Sequence, residues 1–178
     1  MAEHAVRAVL EGGGGLAGRA VRAALWLPGK AYGAAMALRR AAYGRRIFSS
    51  SPAGVPVVSV GNLTAGGSGK TPLTVLLARE LAAAGRKPAI LMRGYRATPG
   101  GVSDEAALYR RLLPETILEV NPDRRAGAAA AAKQGADVIL PDDGMQHLGL
   151  RRDFDPVLID APSPRGGGTP LPGGRLRA

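Results

Sequence analysis

The chain contains no cysteine. That excludes disulfides, thiolate metal sites and thiol catalysis, and it fits a cytoplasmic setting. Aromatic residues are scarce, at 4% of 178 residues. Base-stacking surfaces need aromatics interleaved with basic residues, so nucleic acid is not an expected partner. No apolar run reaches the roughly 18 residues of a membrane span. The N-terminus does not have the layout of a secretory signal, because Glu3 and Glu11 flank a short apolar patch and Gly12 to Gly15 follow. An Asn-Lys-x-Asp segment, the usual guanine reader of GTPases, is also missing.

Acidic residues are in short supply too. Asp and Glu number 14 against 24 Lys and Arg, for a net charge of +10. The imbalance is local. Residues 1–50 hold eight bases (Arg7, Arg19, Arg22, Lys30, Arg39, Arg40, Arg45, Arg46) against Glu3 and Glu11, a net +6. Such a bias points to an anionic partner, and the few aromatics favour a membrane surface over nucleic acid.

Hydrophobic residues make up 46% of the chain, enough for one α/β domain with a core of Val, Leu, Ile and Ala. Residues 16–46 read as helix, interrupted near Pro28-Gly29. Tyr32, Met36 and Tyr43 fall close to one face, with basic residues over much of the rest. Two readings stand: an interfacial helix on anionic lipid, or a solvated helix packed on its own domain. Ser49-Ser50-Ser51-Pro52 reads as a linker.

From Val55 onward strand, loop and helix alternate. Strands are expected at 55–60, 88–92, 116–120, 137–140 and 156–160. Helices are expected at 70–84, 103–113 and 123–134, with Ser103 as an N-cap and Gly85 and Gly135 closing two of them. This order predicts an α/β fold: a parallel sheet with helices on both faces, of the P-loop NTPase type, preceded by a basic N-terminal helical segment. Residues 161–178 are rich in Pro and Gly and show no element.

Three segments could carry chemistry. In "TAGGSGKT", Thr64 stands where a full phosphate-loop pattern has its first glycine, and Ala65, Gly66, Gly67, Ser68, Gly69, Lys70 and Thr71 complete the loop. Its glycines let backbone N–H groups turn onto phosphate oxygens, and the following helix adds its dipole. Lys70 would contact the β- and γ-phosphates and Thr71 would ligate Mg²⁺. A glycine-rich turn without ligand is the plain alternative. In "DVILPDDGMQH" an apolar strand ends in Asp142-Asp143, where such NTPases hold a metal-associated acid. An acidic turn is the alternative there. His147 either orients these acids or is structural. In "RGYRATPGGVSDEAALY", Arg93 ends a strand, and Asp104 and Glu105 open a helix whose dipole alone would favour them.

Together "VPVVSVGNLTAGGSGKTP", "RGYR…SDEA", "GADVILPDDGMQH" and "LRRDFDPVLID" resemble the tetraacyldisaccharide 4′-kinase family, the lipid A 4′-kinases of Gram-negative bacteria. Met145 stands where the family usually has Phe. The resemblance implies an ATP- and Mg²⁺-dependent lipid kinase acting on the 4′-hydroxyl of a tetraacyldisaccharide 1-phosphate. It also implies a peripheral position on the cytoplasmic face of the inner membrane, with residues 1–50 at the lipid surface. By motif position Asp104 matches the general base, and Glu105 a residue near the metal. Asp142 and Asp143 match the acids around Mg²⁺–ATP, Gln146 and His147 neighbouring polar positions, and Arg93 a site arginine. The organisation expected is a basic helical region at 1–50, a nucleotide-binding domain at 51–160 and a hinge or tail at 161–178. The family's C-terminal domain, which would close over the nucleotide, is expected to be absent. A P-loop ATPase, or a nucleotide-binding module without lipid kinase activity, is the competing class.

Overall fold

The computed structural model describes residues 15–64, 69–94, 103–159 and 161. Its elements run α1 (Gly15–Gly44), β1 (Gly61–Asn62), α2 (Lys70–Ala83), β2 (Pro88–Met92), α3 (Asp104–Leu112), β3 (Ile117–Val120), α4 (Arg124–Lys133), β4 (Val138–Pro141), a 3-10 turn (Gly144–Gln146) and β5 (Val157–Leu158). They fall into two compact units. One comprises Met1–Ile47, Asn62–Ser68 and Leu158–Ala178; the other comprises Phe48–Gly61 and Gly69–Val157.

The second unit is built on a parallel sheet of order β3-β2-β4. Ala89 of β2 is in register with Ile117 on one side and Ile139 on the other. Parallel neighbours need crossovers, and α3 and α4 supply them. All five residues of β2 are buried, as expected of a strand covered on both faces. Alternation then sorts its side chains. Ala89 and Leu91 join Ile139, Val57, Ala128 and Ala131 in one core cluster, so α4 covers that face. Ile90 and Met92 join Leu140, Val75, Ala78, Ala106 and Tyr109 in the other, under α2 and α3. The expected arrangement of helices on both faces is thus observed.

Small residues set how closely α4 approaches. A Cβ added at Gly127 would come within 2.6 Å of Leu91 Cδ1 and 2.9 Å of Asn121 Cβ. The caps follow from sequence. Ser103 Oγ accepts from the Ala106 N–H at 3.3 Å, and Asp123 Oδ1 accepts from Arg125 N at 2.9 Å. Gly85 closes α2 with φ 77°, a conformation other residues rarely adopt.

Residues 55–60, expected as a strand, do not form a continuous one. Val57 and Val60 make single parallel bridges to Ile139 and Asp142, and Val58 bridges Phe154. The Ile139 N–H donates to the Pro56 carbonyl, and Val58 N donates back to the Ile139 carbonyl. The next donor in that ladder would be residue 141, aimed at Val58. It is proline and has no N–H. β1 itself is only Gly61–Asn62, paired with an equally short β5.

In the first unit the expected break at Pro28 does not occur. α1 runs 30 residues with Pro28 inside it. Proline keeps a helical φ, so the helix persists without one backbone donor, at a cost of about 3 kcal/mol. No helix among the described residues is long and apolar enough to cross a membrane. Asp160 and residues 162–178, where the end of the fifth strand and the tail are expected, lie outside the described residues.

Candidate functional site

The chemistry-bearing segments of the second unit meet at the C-terminal ends of β2 and β4. Gly69 precedes α2 in a left-handed conformation, φ 76° and ψ 19°. Only glycine takes that turn without strain, and it aims Lys70 and Thr71 from the first turn of the helix. Pro72 follows in that turn, where its missing N–H is not needed. The structure places Lys70 Nζ 3.9 Å from Asp143 Oδ1, with the lysine side chain 15% exposed.

Asp143 adopts φ 51° and ψ 41°, left-handed and unusual for a residue with a side chain. Such a conformation costs of order 1–2 kcal/mol and concentrates at functional sites. Asp142 is half-buried and ends the sheet, its N–H donating to the Leu91 carbonyl at 2.9 Å. Burial pushes its carboxyl above the ordinary carboxylate range, and the neighbouring Glu105 and Asp143 push it further. Lys70 and Arg124 act against them. A nearby cation favours the charged form of a half-buried carboxyl held among like charges.

Asp104 and Glu105 are exposed at the start of α3, and Glu105 lies close enough to act electrostatically on Asp142. His147 is half-buried at the end of the 3-10 turn, its N–H donating to the Gly144 carbonyl at 2.9 Å; Gln146 beside it is exposed. Arg93 is exposed just after β2. Thr64 belongs to the first unit, is buried, and its carbonyl accepts from Asn62 Nδ2. Ala65, Gly66, Gly67 and Ser68 lie outside the described residues.

Two residues that the sequence did not single out hold this site. Arg124, only 6% exposed, donates to the Leu91 carbonyl at 2.6 Å and to the Asp142 carbonyl at 2.8 Å. One guanidinium therefore clasps the ends of β2 and β4 where the acid pair begins. A signal existed: an arginine at the first position of a helix opposes the dipole, so it needs a reason to be there. The second is Tyr109 on α3, 1% exposed. Its buried hydroxyl interacts with the Asp142 carboxyl and with the Thr71 and Thr74 side chains. Burial first, then the Asp142 charge, pushes its pKa up, so the phenol remains a donor across the physiological range.

Whether magnesium suits these residues is a question of donor chemistry. Among the described residues no group of three or more His, Asp or Glu side chains forms a cage. Magnesium does not require one: it keeps waters and takes one or two carboxylates plus phosphate oxygens. Asp142, Asp143 and the Thr71 hydroxyl fit that pattern.

The model of the LpxK family, tetraacyldisaccharide-1-P 4'-kinase, matches residues 21–178. The chain belongs to the tetraacyldisaccharide-1-P 4'-kinase family. Curated relatives carry the name tetraacyldisaccharide 4'-kinase. The protein of Anaeromyxobacter sp. (strain Fw109-5) is 41% identical over 161 residues, covering 81% of this chain and 43% of the relative. That of Methylobacterium sp. (strain 4-46) is 44% identical over 163 residues, covering 84% and 46%. The crystal structure of "apo" form LpxK from Aquifex aeolicus in complex with ATP superposes with a TM-score of 0.79 at 30% identity, covering 88% of this chain and 54% of that one. The chain thus spans about half the length of the kinases it matches. The likeness supports the P-loop-type α/β fold.

Proposed function

We propose that this chain is the nucleotide-binding part of an ATP-dependent lipid kinase, which moves the γ-phosphate to the 4′-hydroxyl of a tetraacyldisaccharide 1-phosphate. The observation that carries this reading is Lys70 opposite Asp143, whose backbone is strained, with Asp142 beside it at the strand end, in a chain of this family. The relatives' names specify the acceptor, and the solved LpxK was captured with ATP.

In this reading residues 64–71 wrap the polyphosphate, with backbone N–H groups from the loop and the first turn of α2 taking its charge. Lys70 turns from Asp143 to the β- and γ-phosphates. Asp104 accepts the proton of the sugar 4′-hydroxyl as that oxygen bonds to the γ-phosphorus. The bond from the γ-phosphorus to the bridging oxygen breaks, and ADP leaves with its electron pair. Thr71, Asp142 and Asp143, with Glu105 nearby, would hold Mg²⁺, which supplies charge neutralisation on the phosphates when bound. Gln146 and His147 keep the acid turn in place, and Arg93 faces the incoming anionic substrate.

The partner surface in this reading is anionic membrane, on the cytoplasmic face of the inner membrane of a Gram-negative bacterium. Exposed Trp26, Leu27 and Leu38 on α1 support it. So do the cations on the same helix: Lys30 lies 5.7 Å from the Trp26 ring centre and Arg39 5.9 Å from that of Tyr43. Cations beside aromatic rings suit a headgroup layer. The organisation proposed is a lipid-facing region at 1–50, a nucleotide domain at 51–160 and a hinge at 161–178.

The test is phosphate transfer from labelled ATP to a tetraacyldisaccharide 1-phosphate in mixed micelles. It uses this chain and, in parallel, a full-length relative carrying the same substitution. Asp104→Ala is expected to bind ATP normally and to lose transfer by about 100-fold or more. Normal transfer by that variant would remove Asp104 as base. ATP hydrolysis without lipid product in both proteins would refute the kinase reading.

A further inference from the structure

The segment "LRRDFDPVLID" takes no part in the chemistry proposed above, yet its second arginine reaches the acid turn. Arg151 and Arg152 are adjacent and differently placed. Arg151 is exposed and lies 3.8 Å from Asp153. Arg152 turns inward, its side chain 15% exposed. Its Nη1 donates to the Met145 carbonyl at 2.8 Å and to the Gly144 carbonyl at 3.1 Å. Its Nε faces the Asp155 carboxylate, 2.9 Å from one oxygen and 3.0 Å from the other. Both carbonyls belong to the 3-10 turn that follows Asp143. Carbonyls at the end of a helical turn need partners from outside it, and a charged donor makes a bond roughly twice as strong as a neutral one.

This turn needs holding. Asp143 is left-handed, with φ 51°, and a residue with a side chain stays there only where its surroundings over-determine it. Close packing supplies part of the restraint. A Cβ added at Gly144 would stand 2.6 Å from Ser59 Oγ and 2.8 Å from Pro141 Cβ, and one added at Gly61 would stand 2.6 Å from Met145 Cβ. Arg152 adds a polar restraint, and its own backbone is anchored. Asp153 N donates to the Val57 carbonyl at 2.9 Å, Ser59 N to the Phe154 carbonyl at 2.9 Å, and Gly61 N to the Pro156 carbonyl at 3.0 Å. The segment carrying Arg152 and Asp155 is therefore laced to residues 57–61, which lead into the phosphate loop. A partly exposed ion pair contributes little stability by itself. The effect of Asp155 is to aim the guanidinium.

We propose that Arg152 is a positioning residue for the cation site. Its guanidinium, aimed by Asp155, fixes the carbonyls of Gly144 and Met145, and through them the left-handed turn that presents the Asp143 carboxylate opposite Lys70. The inference rests on the nucleotide reading above, and it gives Arg152 no contact with nucleotide, metal or acceptor.

Charge and position predict opposite signs for one substitution. Removing a cation from the neighbourhood of an acid pair leaves that pair more attractive to Mg²⁺. A purely electrostatic role therefore makes Arg152→Met take Mg²⁺ more tightly, and a positioning role makes it take Mg²⁺ more weakly. Calorimetry of ATP binding by the full chain, across a series of Mg²⁺ concentrations, reads the difference. In Arg152→Met the Mg²⁺ concentration that half-saturates ATP binding is expected to rise about tenfold, the common cost of losing a group that orients a metal ligand. ATP affinity in EDTA stays as in the parent, because the loop and Lys70 are untouched. Arg152→Lys keeps the charge and loses the planar fork, so its midpoint should rise about threefold where charge alone predicts no change. That variant decides the matter if Arg152→Met does not fold. An unchanged or lower midpoint in Arg152→Met, an unchanged one in Arg152→Lys, or an affinity in EDTA that falls as far as the affinity in Mg²⁺ would overturn the proposal. Failure of the parent chain to bind ATP would instead overturn the nucleotide reading and this inference with it.

Discussion

Arg124 makes the sharpest demand on the fold. Replacing it with methionine keeps most of the aliphatic stem and removes the guanidinium. The Leu91 carbonyl still accepts from Asp142 N at 2.9 Å, so it is not orphaned. The Asp142 carbonyl loses the charged donor at 2.8 Å. A hydrogen bond from a charged group contributes about 1.5–3 kcal/mol. Arg124 is 6% exposed, so solvent screening takes little of this away. The Asp142 and Asp143 carboxylates also lose a counter-charge, which raises the expected total to about 3 kcal/mol. Against a total stability of about 5–15 kcal/mol that is a large share. With a urea slope near 2 kcal/mol/M, the unfolding midpoint of Arg124→Met should fall by about 1.5 M. Arg124→Lys should recover less than half of this, because an ammonium is a point donor and cannot bridge two carbonyls in a fixed fork. A midpoint shift below about 0.3 M for Arg124→Met would refute the clasp.

Two further outcomes can be checked on the same protein. Gly127→Ala gains about 1 kcal/mol of helix propensity but drives a Cβ to 2.9 Å from Asn121 Cβ; overpacking costs about 1–3 kcal/mol, so calorimetry should show a lower melting temperature, and a rise would contradict the close packing of α4. Asp137 accepts from Arg86 Nε at 2.8 Å and Lys87 N at 2.7 Å, and the Arg86 bond leads in holding its pKa below the ordinary value. A lowered folded pKa gives stability that is present above the unfolded value, near 4, and lost as pH falls through the folded one. Asp137→Asn should therefore flatten the decline in melting temperature below about pH 4, and an unchanged acid limb would dismiss that contribution.

Much of this was legible beforehand because local chemistry and tertiary structure agree. β2 was read at its observed limits, since Pro88 starts it and a β-type run follows. Helices α2, α3 and α4 end within a residue or so of expectation, because Ser103, Asp123 and Gly85 are strong local signals. Two errors share a cause. The expected strand at 55–60 and the expected break at Pro28 both depend on what one proline does to a neighbour. Pro141 interrupts a ladder from the partner strand, more than 80 residues away. Pro28 fails to interrupt a helix that carries on through it. The site was legible where residue type declares chemistry, as at Lys70, Asp142 and Asp143. It was hidden where position alone confers the role. Arg124 in an Ala-rich helix and Tyr109 in an apolar stripe resemble solvated charge and core until the strand ends are brought to them.

The contact between Lys70 and Asp143 has a consequence for how tightly nucleotide can be held. The lysine already has an anionic companion when the site is empty. Arrival of a polyphosphate exchanges one counter-ion for another, and the affinity measures only the difference between them. A lysine kept paired in this way resists capture by stray phosphate. In the proposed reading the same exchange restores the ion pair whenever ADP departs.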